Sequence, residues 1–263
     1  MLECVINISE GRDLSVIAAI SHAAGTDLLD VHTDPDHHRS VLTLVGEDAP
    51  RAVAAEAVAR IDLRTHNGVH PRIGSVDVVP FVPLGTATLA DAIAARDRFG
   101  QWAAETLGLP GFAYGPDRTL PAVRKHAFAD LAPTWGPPTA HPSAGSVAVG
   151  ARPVLVAYNV WLTDPDVGLA KRIAHQLRSP GLRTLGLAVG SRVQVSMNLV
   201  DPYAIGPAEA ADAVAALASV AGCELVGLIP RAVLAAIPQY RWAALDLTES
   251  RTIEARLARR LLP

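Results

Sequence analysis

Apolar positions in the first part of the chain switch between two periods, and the switches mark the elements. Leu2 to Ile8 reads as a strand, Asn7-Ile-Ser-Glu-Gly11 turns the chain, and the spacing of Leu14, Ile17 and Ile20 predicts a helix ending near Gly25. Leu28 to Thr33 and Ser40 to Gly46 read as two strands around the polar loop Asp34-Pro-Asp-His-His-Arg39. Val53, Ala57, Val58 and Ile61 share one side of a second helix, and Ser75 to Val82 follows as a strand, polar only at Ser75, Asp77 and Pro80. The order is β-α-β-β-α-β.

That order returns after Pro153. Val154 to Leu162 reads as a strand, Leu169, Ile173 and Leu177 mark a helix, and Thr184 to Val189 and Val193 to Leu199 are strands. Ala210, Val214 and Leu217 mark another helix before a strand from Cys223 to Ile229. A closing helix carries Ile253, Leu257 and Leu261, with Arg251, Arg256, Arg259 and Arg260 as a solvated face. The pattern predicts an α/β (α+β) protein of two subdomains, 1–152 and 153–263. Strands this apolar need cover on both faces, so helices are expected outside each sheet and the two sheets are expected to face each other. Between the repeats the pattern predicts a long amphipathic helix from Leu89 to Leu107, a strand from Gly111 to Tyr114 and an irregular stretch from Trp135 to Gly145.

One loop concentrates polar chemistry just before a strand: Arg64-Thr-His-Asn-Gly-Val-His-Pro-Arg72. Asn67-Gly68 and Pro71 break any helix, and Pro71 pushes His70 toward an extended backbone. An imidazole has an unperturbed pKa near neutrality and suits proton transfer, and the neighbouring Arg72 can fork onto a carboxylate. The plainer alternative is a polar loop whose histidines bond only to backbone.

Composition narrows the partners. The chain has 263 residues, 50% of them hydrophobic, and a net charge of −3, which gives no electrostatic footprint for nucleic acid. No apolar run approaches the ~20 residues of a membrane span, and Met1-Leu-Glu-Cys lacks the basic start and apolar core of a signal peptide, so a cytoplasmic location is expected. Cys4 and Cys223 lie in apolar runs and read as thiols rather than a disulfide or metal site. His37, His38, His66 and His70, with Asp34 and Asp36, permit a zinc site of a metal-dependent amidohydrolase, but without diagnostic ligand spacing the chain is expected to be metal-free. No Gly-x-Ser-x-Gly elbow is present. Gln194, Ser196 and Asn198 alternate along one strand, which suits either a solvent face or recognition of a heterocycle from a cleft.

The residues just described resemble the formiminotransferase family nearly end to end. Glu3-Cys-Val-Ile-Asn-Ile-Ser-Glu-Gly11 is similar to the family's opening, Asp34-Pro-Asp-His-His-Arg-Ser-Val41 to its second motif, and His66-Asn-Gly-Val-His-Pro-Arg-Ile-Gly-Ser-Val-Asp77 to the segment with its active-site histidine. Gln194-Val-Ser-Met-Asn198 and Glu224-Leu-Val-Gly-Leu-Ile-Pro230 match its C-terminal half. Departures stand at Ile6, where proline is usual, at His32 for an aspartate of mammalian members, at His38 for asparagine and at Ala144 for an aromatic.

The resemblance implies transfer of a formimino group from N-formimino-L-glutamate to tetrahydrofolate, giving 5-formiminotetrahydrofolate and L-glutamate, in a homodimer. His70 falls on the family histidine and is expected to act as general acid and base. The folate stretch falls on Gly136, Pro137, Pro138, Thr139, Ala140, His141, Pro142, Ser143, Ala144 and Gly145. Arg39, Arg72 and Arg124 are candidates for the donor's carboxylates, and His37 with Gln194, Ser196 and Asn198 for polar contacts in the cleft. A formyl donor would use the same residues. A non-catalytic folate-binding protein would keep the folate stretch without needing His70.

Overall fold

The protein, seen in a computed structural model, is described over residues 1–68 and 70–260, and it divides into two compact units, Met1–Pro153 and Val154–Pro263. Val69 of the central loop and Leu261 of the expected closing helix lie outside the described residues.

In the first unit the chain runs β1 (Leu2–Ile8), α1 (Leu14–His22), β2 (Leu28–Asp34), β3 (Arg39–Val45), α2 (Asp48–Arg60), β4 (Val76–Pro83), α3 (Leu89–Leu107), β5 (Gly111–Tyr114), α4 (Leu120–His126) and β6 (Val147–Ala151). Six strands form one mixed sheet in the order β2-β3-β1-β4-β6-β5. The pairs among β1, β2, β3 and β4 are antiparallel, whereas β6 runs parallel to both β4 and β5. Local chemistry fixes α3 at both ends. Thr88 and Asp91 close a capping box at its start, and Gly108, at φ 62°, takes the left-handed position that ends it.

Alternation along the strands sends two sets of side chains to opposite faces. Cys4, Ile6, Ile8, Val76, Val79, Phe81, Val147 and Val149 pack with Ile20 of α1, Val53 and Ala57 of α2, and Ala95, Phe99 and Ala103 of α3. On the other face Val78, Phe112, Tyr114 and Ala148 pack against Val123 of α4. Here the structure departs from the sequence pattern, which places helices on one face only and anticipates neither α4 nor β6. Thr119 caps α4 by accepting the Ala122 amide, and a proline stands in its first turn. That is a short start signal on a helix too brief to show an apolar period.

The second unit holds β7 (Val156–Leu162), α5 (Val167–Leu177), β8 (Leu182–Val189), β9 (Arg192–Leu199), α6 (Pro207–Ala215), β10 (Val220–Val226), α7 (Arg231–Ala235) and α8 (Ile253–Arg260). Its four strands are antiparallel in the order β10-β7-β9-β8. The order β8-β9-β7-β10 reproduces β2-β3-β1-β4, so the β-α-β-β-α-β reading holds for topology in both units. β10 starts earlier than the expected Cys223 to Ile229 and ends at Val226, where Gly227 at φ 80° turns the chain. Val156, Tyr158, Val160, Val193, Val195 and Met197 pack with Ile173 of α5 and Val214 of α6. Cys4 is buried, Cys223 is half-buried, and both are free thiols. No helix among the described residues is long and apolar enough to cross a membrane.

Phe81 is fully buried between the sheet and α3, with its ring 6.0 Å from that of Phe99. Phe81→Ala should lower the unfolding free energy by about 3–5 kcal/mol. Urea denaturation checks this, and a loss below about 1 kcal/mol would mean that the site collapses around the cavity.

Candidate active site

A break in strand register creates the site. β1 pairs with β4 as Asn7 with Val78 and Ile8 with Val76, so Asp77 is the extra residue of a bulge. A bulge re-aims side chains, and here it sets a carboxylate with no solvent exposure beside the end of β1. Asp77 Oδ1 accepts the Ile73 amide at 2.7 Å, and Oδ2 accepts Arg39 Nη1 at 2.8 Å and Arg124 Nη2 at 2.5 Å. Burial works to raise the Asp77 pKa, but the two guanidinium groups and the amide outweigh it and hold the carboxyl below its usual range.

Arg39 begins β3 and is engaged from inside the protein. Its Nε and Nη2 donate to Asn7 Oδ1 at 3.0 and 2.8 Å, and Nη1 reaches both Asp77 and, at 2.9 Å, His70 Nδ1. Gly11 lets this happen. A Cβ there would lie 2.2 Å from the Asp34 carbonyl and 2.5 Å from the Arg39 amide, so any other residue would push β3 away. The Arg39 fork is thus engaged by Asn7 and Asp77.

Arg72 is also engaged. It donates to the carbonyls of His37, His38 and His70 at 3.2, 3.3 and 2.8 Å, and to His66 Nε2 at 2.6 Å. This is an arginine stapling two loops together, the second of the two uses such a fork serves. Arg124 differs. Its Nη2 meets Asp77, but its Nε is buried with no hydrogen-bond partner among the described residues. Of the three candidate arginines, Arg124 has the fewest hydrogen-bond partners among the described residues.

The histidines fall into two pairs. His37 Nδ1 lies 2.6 Å from Asp34 Oδ2, and its ring stands edge-on to His70 with centroids 6.0 Å apart. Burial pushes the Asp34 pKa up, but the His37 ring and the amides of His37 and Asp36 outweigh it and bring the carboxyl to about 2. His38 adopts a left-handed backbone, φ 50°, which asparagine and histidine tolerate better than most residues and which accounts for their exchange at this position. Its ring stacks on His66 at 4.0 Å. Burial, Arg72 and His38 depress the His66 pKa to about 4. Burial, then Arg39 and Arg124, depress that of His70 to about 2. No group of three or more His, Cys, Asp or Glu among the described residues is placed to hold a metal ion.

The stretch from Gly136 to Gly145 ends against the His70 segment. Ser143 and Ala144 carbonyls accept the Leu63 and Ser75 amides, and Gly145 bridges Gly74. Gly136, Pro137, Pro138, Thr139, Ala140 and Pro142 are exposed. His141 and Ser143 are half-buried, and His141 Nδ1 accepts the amides of Ser143 and Ala144 at 3.4 and 3.1 Å. Ala144 is the buried member of the stretch: its side chain sits in the main core, its amide meets His141 and its carbonyl accepts the Ser75 amide.

In the second unit Gln194, Ser196 and Asn198 lie on the face of β9 opposite Val193, Val195 and Met197. They are buried, half-buried and exposed in turn. Their register partners on β7 are Trp161, Asn159 and Ala157, and Asn159 Nδ2 donates to Glu224 at 3.0 Å. In the sequence Asp77 reads only as a polar break in a strand, and Asn7 does not stand out at all. A charged residue inside an otherwise apolar run is the available signal for Asp77.

The sequence profile of the formiminotransferase domain, N-terminal subdomain, matches residues 1–152. The chain is similar to a glutamate formimidoyltransferase of Streptococcus pyogenes serotype M1, at 33% identity over 91% of this chain and 92% of that protein. A second glutamate formimidoyltransferase, from Thermoplasma acidophilum, is 32% identical over 98% and 97%. The formimidoyltransferase-cyclodeaminase of Rattus norvegicus is 35% identical over 88% of this chain, which spans 50% of its length.

Two expectations follow from the buried charges. Asp77→Ala leaves two guanidinium groups without their shared counterion and should cost about 3–5 kcal/mol of stability in denaturant titration; a loss under about 1 kcal/mol would contradict the hub role. The second concerns pH. His66 and His70 have folded pKa values of about 4 and about 2, below the ~6.5 of an unfolded chain. Below ~6.5 the unfolded state binds protons that the folded state refuses, so stability is full above that pH and falls toward pH ~4. Melting temperatures across that range should decline, and His66→Gln should flatten the decline.

Proposed function

The chain belongs to the formiminotransferase family, and on that premise we propose that it is a glutamate formimidoyltransferase, moving a formimino group from N-formimino-L-glutamate to tetrahydrofolate. The observation that supports the mechanism is His70 Nδ1 held 2.9 Å from Arg39 Nη1, next to the Asp77 carboxylate that Arg124 also binds. Tetrahydrofolate N5 adds to the formimino carbon, forming a C–N bond and a tetrahedral centre. The N5 proton passes to His70 and from there to the glutamate nitrogen. The bond to that nitrogen breaks, the C=N bond re-forms on the transferred group, and L-glutamate leaves as an amine. Protons and charge balance, with no oxidant or metal required.

The depressed pKa keeps the resting ring unprotonated and open to a proton, at the cost of base strength. The N5 ammonium of the tetrahedral centre is itself acidic and the leaving nitrogen is a far stronger base, so the imidazolium exists only in transit. Holding both substrates in place supplies much of the rate. Arg124 is assigned to a donor carboxylate, and Arg39 and Arg72 to holding the site together. Gly136 to Ser143 is assigned to the folate, with His141 and Ser143 as the contributing side chains and the exposed prolines and glycine allowing close backbone approach. The neutral row Gln194, Ser196 and Asn198 is assigned to recognising an amide or heterocycle edge. The reading carries with it a cytosolic homodimer without a metal, acting on small molecules rather than nucleic acid or membrane.

Purified protein mixed with tetrahydrofolate and formiminoglutamate should form 5-formiminotetrahydrofolate, followed by its absorbance. Turnover with formylglutamate alone would overturn the donor assignment. His70→Ala should lose about 10²–10⁴ in kcat while still binding tetrahydrofolate, and a folded, folate-binding variant with near-normal turnover sinks the assignment. Arg124→Met should raise KM for the donor by roughly 10–100-fold, the worth of one charge-assisted contact.

A further inference from the structure

His70 Nδ1 has two close partners with opposite demands. Arg39 Nη1, at 2.9 Å, can only donate, because a guanidinium has no lone pair to offer, whereas the Pro71 carbonyl, at 2.7 Å, can only accept. One nitrogen of a neutral imidazole satisfies one of them at a time. A ring bonded to Arg39 carries its hydrogen on Nε2, and a ring bonded to Pro71 carries it on Nδ1 and presents a lone pair at Nε2.

The two bonds are unequal. Arg39 is charged, and charge-assisted hydrogen bonds are roughly twice as strong as neutral ones. Its guanidinium is also immobilised, gripped by Asn7 Oδ1 through Nε and Nη2 and by Asp77 Oδ2 through Nη1. The other groups around the ring act in the same direction or weakly. Arg124 on α4 adds positive charge, Asp77 on β4 partly offsets it, His37 from the β2–β3 turn stands edge-on at 6.0 Å, and Arg72 holds the His70 carbonyl.

We propose that Arg39 is a positioning residue that sets the tautomer of His70, keeping the resting ring neutral with its hydrogen on Nε2 and exchanging its place at Nδ1 with the Pro71 carbonyl to generate the base form. The exchange is a tautomerisation. One hydrogen leaves Nε2 for solvent and one arrives at Nδ1, so the ring's composition and charge are unchanged. The catalytic meaning of the lock rests on the reading of His70 as the proton-transfer group, but the tautomer itself does not.

Nitrogen-15 NMR of the full-length protein with labelled histidine tests this without any substrate. In the wild-type protein His70 should show a protonated Nε2 and a bare Nδ1 and should not titrate between about pH 5 and 8. In Arg39→Met, where Asp77 keeps Arg124 and the Ile73 amide, the hydrogen should move to Nδ1 and the ring should titrate at higher pH. The acid limb of kcat should move up with it. Arg39→Lys retains one donor and should keep the hydrogen on Nε2, so it stands in if the methionine variant fails to fold. A wild-type ring protonated at Nδ1, or an unchanged tautomer in Arg39→Met, overturns the proposal. A locked ring in a protein that transfers no formimino group would instead sink the functional reading and leave this one intact.

Discussion

A carboxylate with no access to water has to be paired, and the pairing of Asp77 organises the first unit's polar chemistry. An isolated buried charge is too costly for a marginally stable fold, so the Ile73 amide and two guanidinium groups converge on it. Those partners come from β3, α4 and the segment after His70. The pairing thus ties together parts of the chain that are far apart in sequence. It also leaves a surplus, since two arginines share one carboxylate, and the surplus positive charge falls on His70.

Positive surroundings and burial keep His70 and His66 uncharged, and for His66 the arrangement is a matter of scaffolding. Its ring stacks on His38 and accepts from Arg72, which also holds three loop carbonyls. A loop fixed by one arginine loses little further entropy when a ligand arrives. Each ring has a guanidinium and a carbonyl at one nitrogen: Arg72 and the His38 carbonyl at His66 Nε2, Arg39 and the Pro71 carbonyl at His70 Nδ1. The difference between the two rings lies in which nitrogen is tied, Nε2 in His66 and Nδ1 in His70.

The two units share a strand order but differ in what is added to it. The second keeps the plain four-strand sheet. The first adds β6 and β5 in parallel beyond β4, and the connection between these two strands contains α4, which brings Arg124 to Asp77. The same connection contains the stretch from Gly136 to Gly145, whose end is stitched to the residues after His70. An insertion into a duplicated topology therefore supplies both the Arg124 guanidinium and the segment assigned to folate.

The chain by itself determined the periodicity of most elements, the doubled order and the loop carrying His70, because each depends on neighbours a few residues away. Pro71 and Asn67-Gly68 act through local sterics, and the long motifs around Asp34, His66 and His70 are contiguous. Tertiary structure alone decided what Asp77, Asn7 and Arg39 do. A bulge between β1 and β4 and the convergence of arginines from β3 and α4 on Asp77 are long-range events with no local signature. β6 and α4 were too short to stand out, since a few residues hold less than two helical turns or a few alternations. The burial of Ala144 in the core, within a stretch that reads as a polar loop, was likewise decided by close packing between distant segments.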